Sequence, residues 1–214
     1  MHNRATAMLA RAFIFLALAA CAHGTSDPDS VRGRLESDTT ELSVSTGSSA
    51  GSLTAQRRTS DGWVAGEVAL TVNSGQLVAS ADARGQIAIQ HLEVELGPIS
   101  IPKSVLGYEA QLTGIHLQAD RPAGVVTTWT DDDEAHATAQ LELALTWSLT
   151  IDGKTSPLGA PKMPAVPVEL AFTGDGEAVH AEARVLSTGM FWSWADLVKL
   201  EDLHLSLAAT TVNP

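Results

Sequence analysis

The stretch EAHATAQLELALTWSLTI, residues 134–151, decides the fold of this chain. Every odd position from Ala135 to Ile151 is apolar, and the even positions are polar except Ala144. A repeat of two residues places one face of a β-strand against a core and the other face in water. Seventeen residues at about 3.3 Å each would extend about 56 Å, so we expect this strand to bend, bulge or coil.

Other segments share this alternation and are separated by turn residues. We expect further strands near residues 63–72, 76–83, 86–96, 108–119, 125–130, 166–173, 179–185 and 203–211, with a turn at Asn73-Ser74-Gly75. Eight or nine such strands predict an all-β fold, either an antiparallel β-barrel or a strongly coiled β-sandwich, with at most one short helix. A transmembrane barrel would need aromatic girdles, and aromatic residues make up only 5% of the chain.

The first 20 residues have the organisation of a secretory signal peptide. They contain two arginines, both before residue 12, and no acidic residue. The apolar run that follows, Ala12–Ala20, is too short to span a membrane. Leu18-Ala19-Ala20-Cys21 resembles the lipobox of bacterial lipoproteins, in which the chain is cleaved before a cysteine that becomes acylated. The resemblance implies a lipid anchor on Cys21. The alternative is an ordinary signal peptide with a chance cysteine at this position.

The same resemblance implies an address in the bacterial cell envelope. Ala22 after the cysteine favours the outer membrane, with the protein facing the periplasm, and several acyl chains give stable anchoring. Residues 21–52 are rich in Ser, Thr and Gly, which predicts a flexible tether behind the lipidated cysteine. We therefore expect a signal peptide over 1–20, this tether over 21–52 and a β domain over 53–214.

The charge of the chain restricts its partners. Removing residues 1–20 takes away two of the 13 basic residues and no acidic one, leaving 11 against 25 and a net charge of −14. Such a surface repels phosphate backbones, so we expect no nucleic-acid partner. The run Asp131-Asp132-Asp133-Glu134 offers oxygen ligands for calcium, but it lacks the alternating spacing of a calcium loop, which favours a solvated turn.

The sequence offers no convincing catalytic motif. It has a single cysteine and contains no H-E-x-x-H and no glycine-rich phosphate loop, and its one match to G-x-S-x-G, Gly47–Gly51, falls in a Ser- and Gly-rich segment that gives a nucleophile no rigid support, so we expect neither an enzyme nor a cofactor. The histidines of the β domain that lie out of phase with apolar neighbours should face solvent; they include His91, His116, His136 and His204. A metal site would favour two histidines two residues apart on one strand, and no such pair exists, so we expect no metal.

A second resemblance covers about a third of the chain. Leu149 to Pro157, LTIDGKTSP, resembles the L-T-I-x-G-x-T-x-P element of the YceI-like family, and the likeness extends over about residues 140–211. Members of that family are exported, lipocalin-like antiparallel barrels that hold long isoprenoid chains. The resemblance therefore implies a barrel with a hydrophobic ligand.

The candidate ligand-binding residues are apolar. They are Leu143, Leu145, Trp147 and Leu149 on the inward face of the long strand, with Phe191, Trp192 and Trp194 in the segment MFWSWADLVKL. Phe191, Trp194 and Val198 have helical spacing, which predicts a short helix that is either a lid, a membrane-touching element or a plug of ordinary core.

Two functions fit these features. The first is a membrane-anchored lipoprotein whose β domain binds or carries a lipid or another hydrophobic ligand. The alternative is a structural or assembly lipoprotein that binds an envelope protein through its sheet surface. The alternation of apolar residues does not distinguish these functions, because a hollow barrel that holds a ligand and a filled barrel both need apolar side chains on the inner face.

The anchor is tested at Cys21. Metabolic labelling with a palmitate analogue should mark the wild-type protein and leave Cys21→Ser unlabelled, because the lipid is attached through that thiol. Equal labelling of both proteins, or of neither, would contradict the lipobox interpretation.

Overall fold

The computed structural model describes residues 26–122, 125–151, 153–194 and 197–211, so the predicted signal peptide and the predicted anchor at Cys21 lie outside the described residues. The described chain forms the helices α1 (Val31–Ser37) and α2 (Lys103–Leu106) and the strands β1 (Thr40–Val44), β2 (Ala50–Thr59), β3 (Gly62–Ala81), β4 (Ile87–Leu96), β5 (Ile99–Ile101), β6 (Ala110–Pro122), β7 (Val126–Asp131), β8 (Glu134–Ile151), β9 (Lys154–Leu158), β10 (Lys162–Gly174), β11 (Val179–Trp194) and β12 (Val198–Thr211). The predicted all-β antiparallel fold is confirmed, with two short helices where the sequence predicted at most one.

The twelve strands fill eight positions of one closed antiparallel ring. Four positions are shared by two strands that lie end to end. β1 and β2 lie between β3 and β12, β4 and β5 lie along β6, β6 and β7 lie along one edge of β8, and β9 and β10 lie along its other edge. Neighbours along the chain are therefore neighbours in the ring, which is the up-and-down barrel arrangement.

The barrel has two ends, which we name by their connections. The bottom end carries α1 and the β3–β4, β7–β8 and β10–β11 turns, and the top end carries α2 and the β2–β3 and β8–β9 turns. β3 runs from one end to the other, so the predicted turn at Asn73-Ser74-Gly75 is wrong. A register shift between Val72 and Ser74 takes its place, because a bulge lets a long strand bend around the ring.

The helix expected over Phe191–Val198 is also wrong. β11 continues to Trp194, which pairs with Val198 at the start of β12, and Trp192 pairs with Leu200. Three apolar residues have helical spacing here, but β11 and β12 pair with each other on both sides of residues 195–196. The backbone hydrogen bonds of this pairing outweigh the local preference for a helix.

The predicted tether over 21–52 is wrong for residues 26–52. Helix α1 covers the bottom end, where Val31 is 1% exposed and Leu35 is 0% exposed, and β1 and β2 complete the ring. The sparse apolar residues of this segment suggested that it had little to bury. Four of them are nevertheless buried, Val31 and Leu35 under α1 at the open end of the barrel and Leu42 and Val44 on the inner face of β1.

The acidic run at the β7–β8 turn holds α1 in place. The Asp133 carboxylate accepts a hydrogen bond from the Val31 N–H at 3.2 Å, and the Asp132 carbonyl accepts one from the Arg32 N–H at 2.9 Å. Arg34 donates to two carbonyl groups of the β10–β11 turn. The run is thus a turn, as predicted, and it also caps the helix that closes the barrel.

Side chains fill the middle of the ring. The largest fully buried ones are Phe172, Leu35, Leu42, Leu70, Leu77, Ile89, Leu106, Leu112, Ile115, Leu141, Leu143 and Leu200. A barrel of about eight strands has an interior just wide enough for such packing. Neither of the two described helices is long and apolar enough to cross a membrane.

The role of α1 is tested by shortening its buried leucine. Leu35→Ala should lower the free energy of unfolding by about 2–5 kcal/mol, because it leaves a cavity under the helix. The measurement is urea denaturation of the full chain. Thr39→Ala, at an exposed position just beyond the helix, is the control and should stay within about 0.5 kcal/mol. An effect of Leu35→Ala as small as the control would mean that α1 is not part of the folded core.

Candidate functional site

The wall of the barrel is open along half of one junction. β10 and β11 pair from Gly174 opposite Val179 to Val168 opposite Val185. Towards the top end, and within the described residues, β10 then pairs only with β8 and β11 only with β12. We call this gap the seam; residues 162–167 of β10 and 186–194 of β11 form its two sides.

The sequence on both sides explains why pairing stops there. Pro164 and Pro167 lack the N–H that a β-ladder needs, and Ala165 between them has a φ of 54°, which accompanies a register shift in β10. In β11, Gly189 has a φ of 84°, and its N–H donates to the Asp202 carboxylate at 2.8 Å. Both strands are therefore bulged where they would have to meet.

An aromatic cluster bridges the seam. Trp147 of β8 packs against Phe191 of β11 with ring centroids 6.1 Å apart, and against Trp192 at 5.5 Å in an edge-on arrangement. Such tilted and edge-to-face pairs are the favoured geometries of aromatic rings. Trp147 is 4% exposed, whereas Phe191 and Trp192 are half-buried. Side chains thus bridge the barrel wall where the strands do not pair.

The structure separates the predicted ligand-binding residues into two groups. Leu143 and Leu145 are buried in the filled interior, on the same face of β8 as Trp147. Leu149 is partly buried nearer the top end and packs against the core. Phe191, Trp192 and Leu149 are therefore accessible from outside the barrel, whereas Leu143 and Leu145 are not.

Two further residues, Trp194 and Leu158, lie in strands near the aromatic cluster. Trp194 stands at the end of β11 opposite Val198, and its side chain lies outside the described residues. Leu158 of β9 pairs with Trp147 and is partly buried. Leu158 was not among the predicted binding residues, because it begins the segment LGAPKMPA, residues 158–165, which has no alternating pattern.

A second gap in the wall, at the bottom end, is closed differently. Among the described residues, β4 and β7 approach each other there without backbone pairing, and the Trp129 indole N–H donates to the Gly85 carbonyl at 2.7 Å. The Ile87 N–H also donates to the Thr127 hydroxyl at 3.0 Å. In contrast, the indole nitrogen Nε1 of Trp147 is buried and has no hydrogen-bond partner among the described residues. A buried donor left unpaired costs about 1–3 kcal/mol.

A cluster of two histidines and one carboxylate lies on the outer wall of the barrel. The Glu93 carboxylate contacts His91 Nε2 at 2.9 Å and His116 Nε2 on the neighbouring strand. These hydrogen bonds, first from His91 and then from His116, lower the pKa of Glu93. Both histidines are on the solvent side, as predicted. Within the described residues no group of three or more His, Cys, Asp or Glu could hold a metal ion.

A groove lies at the top rim on the opposite side of β8 from the seam. Its volume is about 500 Å³, and its lining mixes the apolar Ile101, Pro102 and Ala110 with the polar Ser100, Lys103, Glu109, Gln111 and Thr150. An apolar ligand in this groove would lie against charged side chains, whereas the seam presents aromatic rings. The seam is therefore the better candidate site for a hydrophobic ligand.

Comparisons with known proteins assign no function to this geometry. No known protein family matches the chain, and no curated protein matches it. The function is therefore inferred from the barrel, the seam and the aromatic cluster.

The Glu93 cluster gives a testable dependence on pH. A carboxylate whose pKa is lowered in the folded state stabilises the protein above about pH 4.5, and this stability is lost as the pH falls through the lowered value. Urea midpoints of the wild type should therefore fall more steeply between about pH 5 and pH 3 than those of Glu93→Gln. The difference should be small, because the side chains are partly exposed.

Glu95→Gln is the matched control for this measurement. Its carboxylate accepts a hydrogen bond from Ser74 on the same wall. Its acid profile should follow the wild type. Parallel profiles for the wild type and Glu93→Gln would show that the two histidine contacts do not stabilise the folded state.

Proposed function

We propose that this protein is a lipid-anchored lipoprotein of the bacterial cell envelope that binds a lipid or another hydrophobic ligand at the seam. The observation that carries the proposal is the half-open barrel wall, bridged by the rings of Phe191 and Trp192 against Trp147. Packed rings can be replaced by another apolar group, because hydrophobic contacts are non-directional. A backbone ladder in the same place would have to be broken before anything entered.

The filled interior determines where the ligand lies. Fully buried side chains such as Leu141 and Leu143 occupy the middle of the ring, so the ligand lies across the seam and the top end. Ile151 and Leu158 are partly buried there and add apolar surface beside the cluster. Each Å² of apolar surface removed from water contributes about 25 cal/mol, and the mouths of β-barrels are common ligand sites.

The anchor orients this site with respect to the membrane. Cys21 precedes Ser26 by five residues, and Ser26 lies beside α1, where its hydroxyl contacts Glu36 at 3.0 Å. Five residues span at most about 18 Å, so a lipid on Cys21 holds the bottom end near the membrane. The top end and the seam then face away from it, and the ligand exchanges on the periplasmic side.

A second candidate function is favoured by a different surface. Trp63 is 42% exposed at the start of β3 and lies under the Lys199 ammonium at 4.3 Å. Met190 and Leu197, 55% and 50% exposed, are near the same end of the sheet. Exposed apolar residues grouped in this way mark interaction surfaces. They support a structural or assembly lipoprotein that binds an envelope protein.

The test compares ligand retention with stability. The wild type purified from cells should carry a hydrophobic molecule that native mass spectrometry detects. Phe191→Ala should lose it at modest cost in stability, because the ring is only half-buried. Leu145→Ala should cost about 2–5 kcal/mol by urea denaturation and keep the ligand, because that side chain belongs to the filled interior.

Trp63→Ala separates the two candidate functions. Ligand retention should be unchanged in this variant, because Trp63 lies on the outer wall away from the aromatic cluster. A wild type that never carries a ligand, together with an envelope partner that Trp63→Ala releases, would support the assembly lipoprotein and overturn the carrier.

A further inference from the structure

We infer that the ligand of the seam carries an uncharged oxygen that accepts a hydrogen bond from the indole N–H of Trp147. The inference rests on the proposed function and specifies the chemical class of the ligand. Its starting observation is that Nε1 of Trp147 is buried without a partner among the described residues, in a side chain that is 4% exposed.

An unpaired indole N–H at this position is not explained by packing. A phenylalanine or a leucine could fill apolar space beside Phe191 and Trp192 without burying a donor, whereas the indole adds a desolvation cost. Trp129 shows that this chain can satisfy an indole donor, since its N–H bonds the Gly85 carbonyl across the bottom gap. An acceptor supplied by a ligand would satisfy Trp147 in the same way.

The position of Trp147 places the ligand oxygen at the inner end of the site. Phe191 and Trp192 contact the indole from the seam side, and the fully buried Leu143 lies on the same face of β8 in the filled interior. A ligand that parts the two outer rings therefore reaches Trp147 last. Its oxygen meets the N–H there, and its apolar body lies along the seam beside Leu149.

The surroundings also determine the charge of that oxygen. Among the described residues, the only buried polar or charged side chains are Ser30 and Ser49, and both already make hydrogen bonds within the protein. A carboxylate or phosphate next to Trp147 would be buried without a cation, which is strongly unfavourable. The acceptor is therefore a ketone, ester, ether or alcohol oxygen.

The test uses two probes of equal chain length, tetradecan-2-one and tetradecane. Radiolabelled probes retained by the full chain are measured by gel filtration. The wild type should hold the ketone about tenfold more tightly, because one hydrogen bond to an otherwise unpaired donor is worth about that ratio. Trp147→Phe keeps an aromatic ring but removes the N–H, so the ratio should fall to about one.

Trp63→Phe is the matched control and should keep the tenfold preference, because it removes an indole N–H from an exposed ring outside the aromatic cluster and leaves the donor of Trp147. Equal retention of the two probes by the wild type, or a preference that survives Trp147→Phe, would overturn the inference while the proposed function stands. A wild type that retains neither probe would overturn the proposed function itself, and the inference with it.

A measurement on the wild type covers the case in which Trp147→Phe does not fold. In protein labelled with ¹⁵N at tryptophan, the indole N–H resonance of Trp147 is the one of five that remains in each of Trp63→Phe, Trp129→Phe, Trp192→Phe and Trp194→Phe. It should move downfield when tetradecan-2-one is added. Tetradecane should leave it in place. A resonance that does not respond to the ketone, or that responds equally to both probes, would overturn the inference.

Discussion

Pairing between the first and last strands of the ring is the constraint on which the rest of the structure depends. β12 pairs with β1 through Leu42 opposite Thr211 and with β2 through Arg57 opposite Val198. This closure removes two long sheet edges and limits the interior to a width that side chains can fill. It also brings the start of the described chain to the bottom end, where α1 covers the opening.

The two ends of the barrel are built by different chemistry. At the bottom end, aspartates accept hydrogen bonds from backbone N–H groups, as Asp175 does from Ala178 and Glu177. The Ala178 N–H, His180 and the Glu177 N–H together lower the pKa of Asp175 to about 2. These carboxylates therefore serve local turns. Among the described residues, the top end has fewer such bonds and exposes apolar side chains such as Trp63 and Met190, so this end is the one better suited to binding.

A ligand bound at the seam would disturb this barrel less than a ligand bound in the middle of the ring. A ligand in the middle of the ring would have to displace a packed core, at several kcal/mol for each large side chain. At the seam it displaces only the half-buried rings of Phe191 and Trp192, while the lower halves of β10 and β11 stay paired from Val168 to Gly174. Displacing those rings would therefore leave the backbone pairing of the ring intact, as in a local opening of a less stable part of a structure.

The inward face of β8 follows from the sequence, because alternation over residues 134–151 depends only on local geometry. The same alternation predicted that Trp147 lies inside, and apolar composition pointed to Phe191 and Trp192 as candidate ligand-binding residues. The tertiary structure was needed to show that residues 26–52 belong to the barrel, that residues 191–194 and Val198 lie in two paired strands, and that β10 and β11 are unpaired towards the top end. These features depend on contacts between residues distant along the chain, which no local pattern contains.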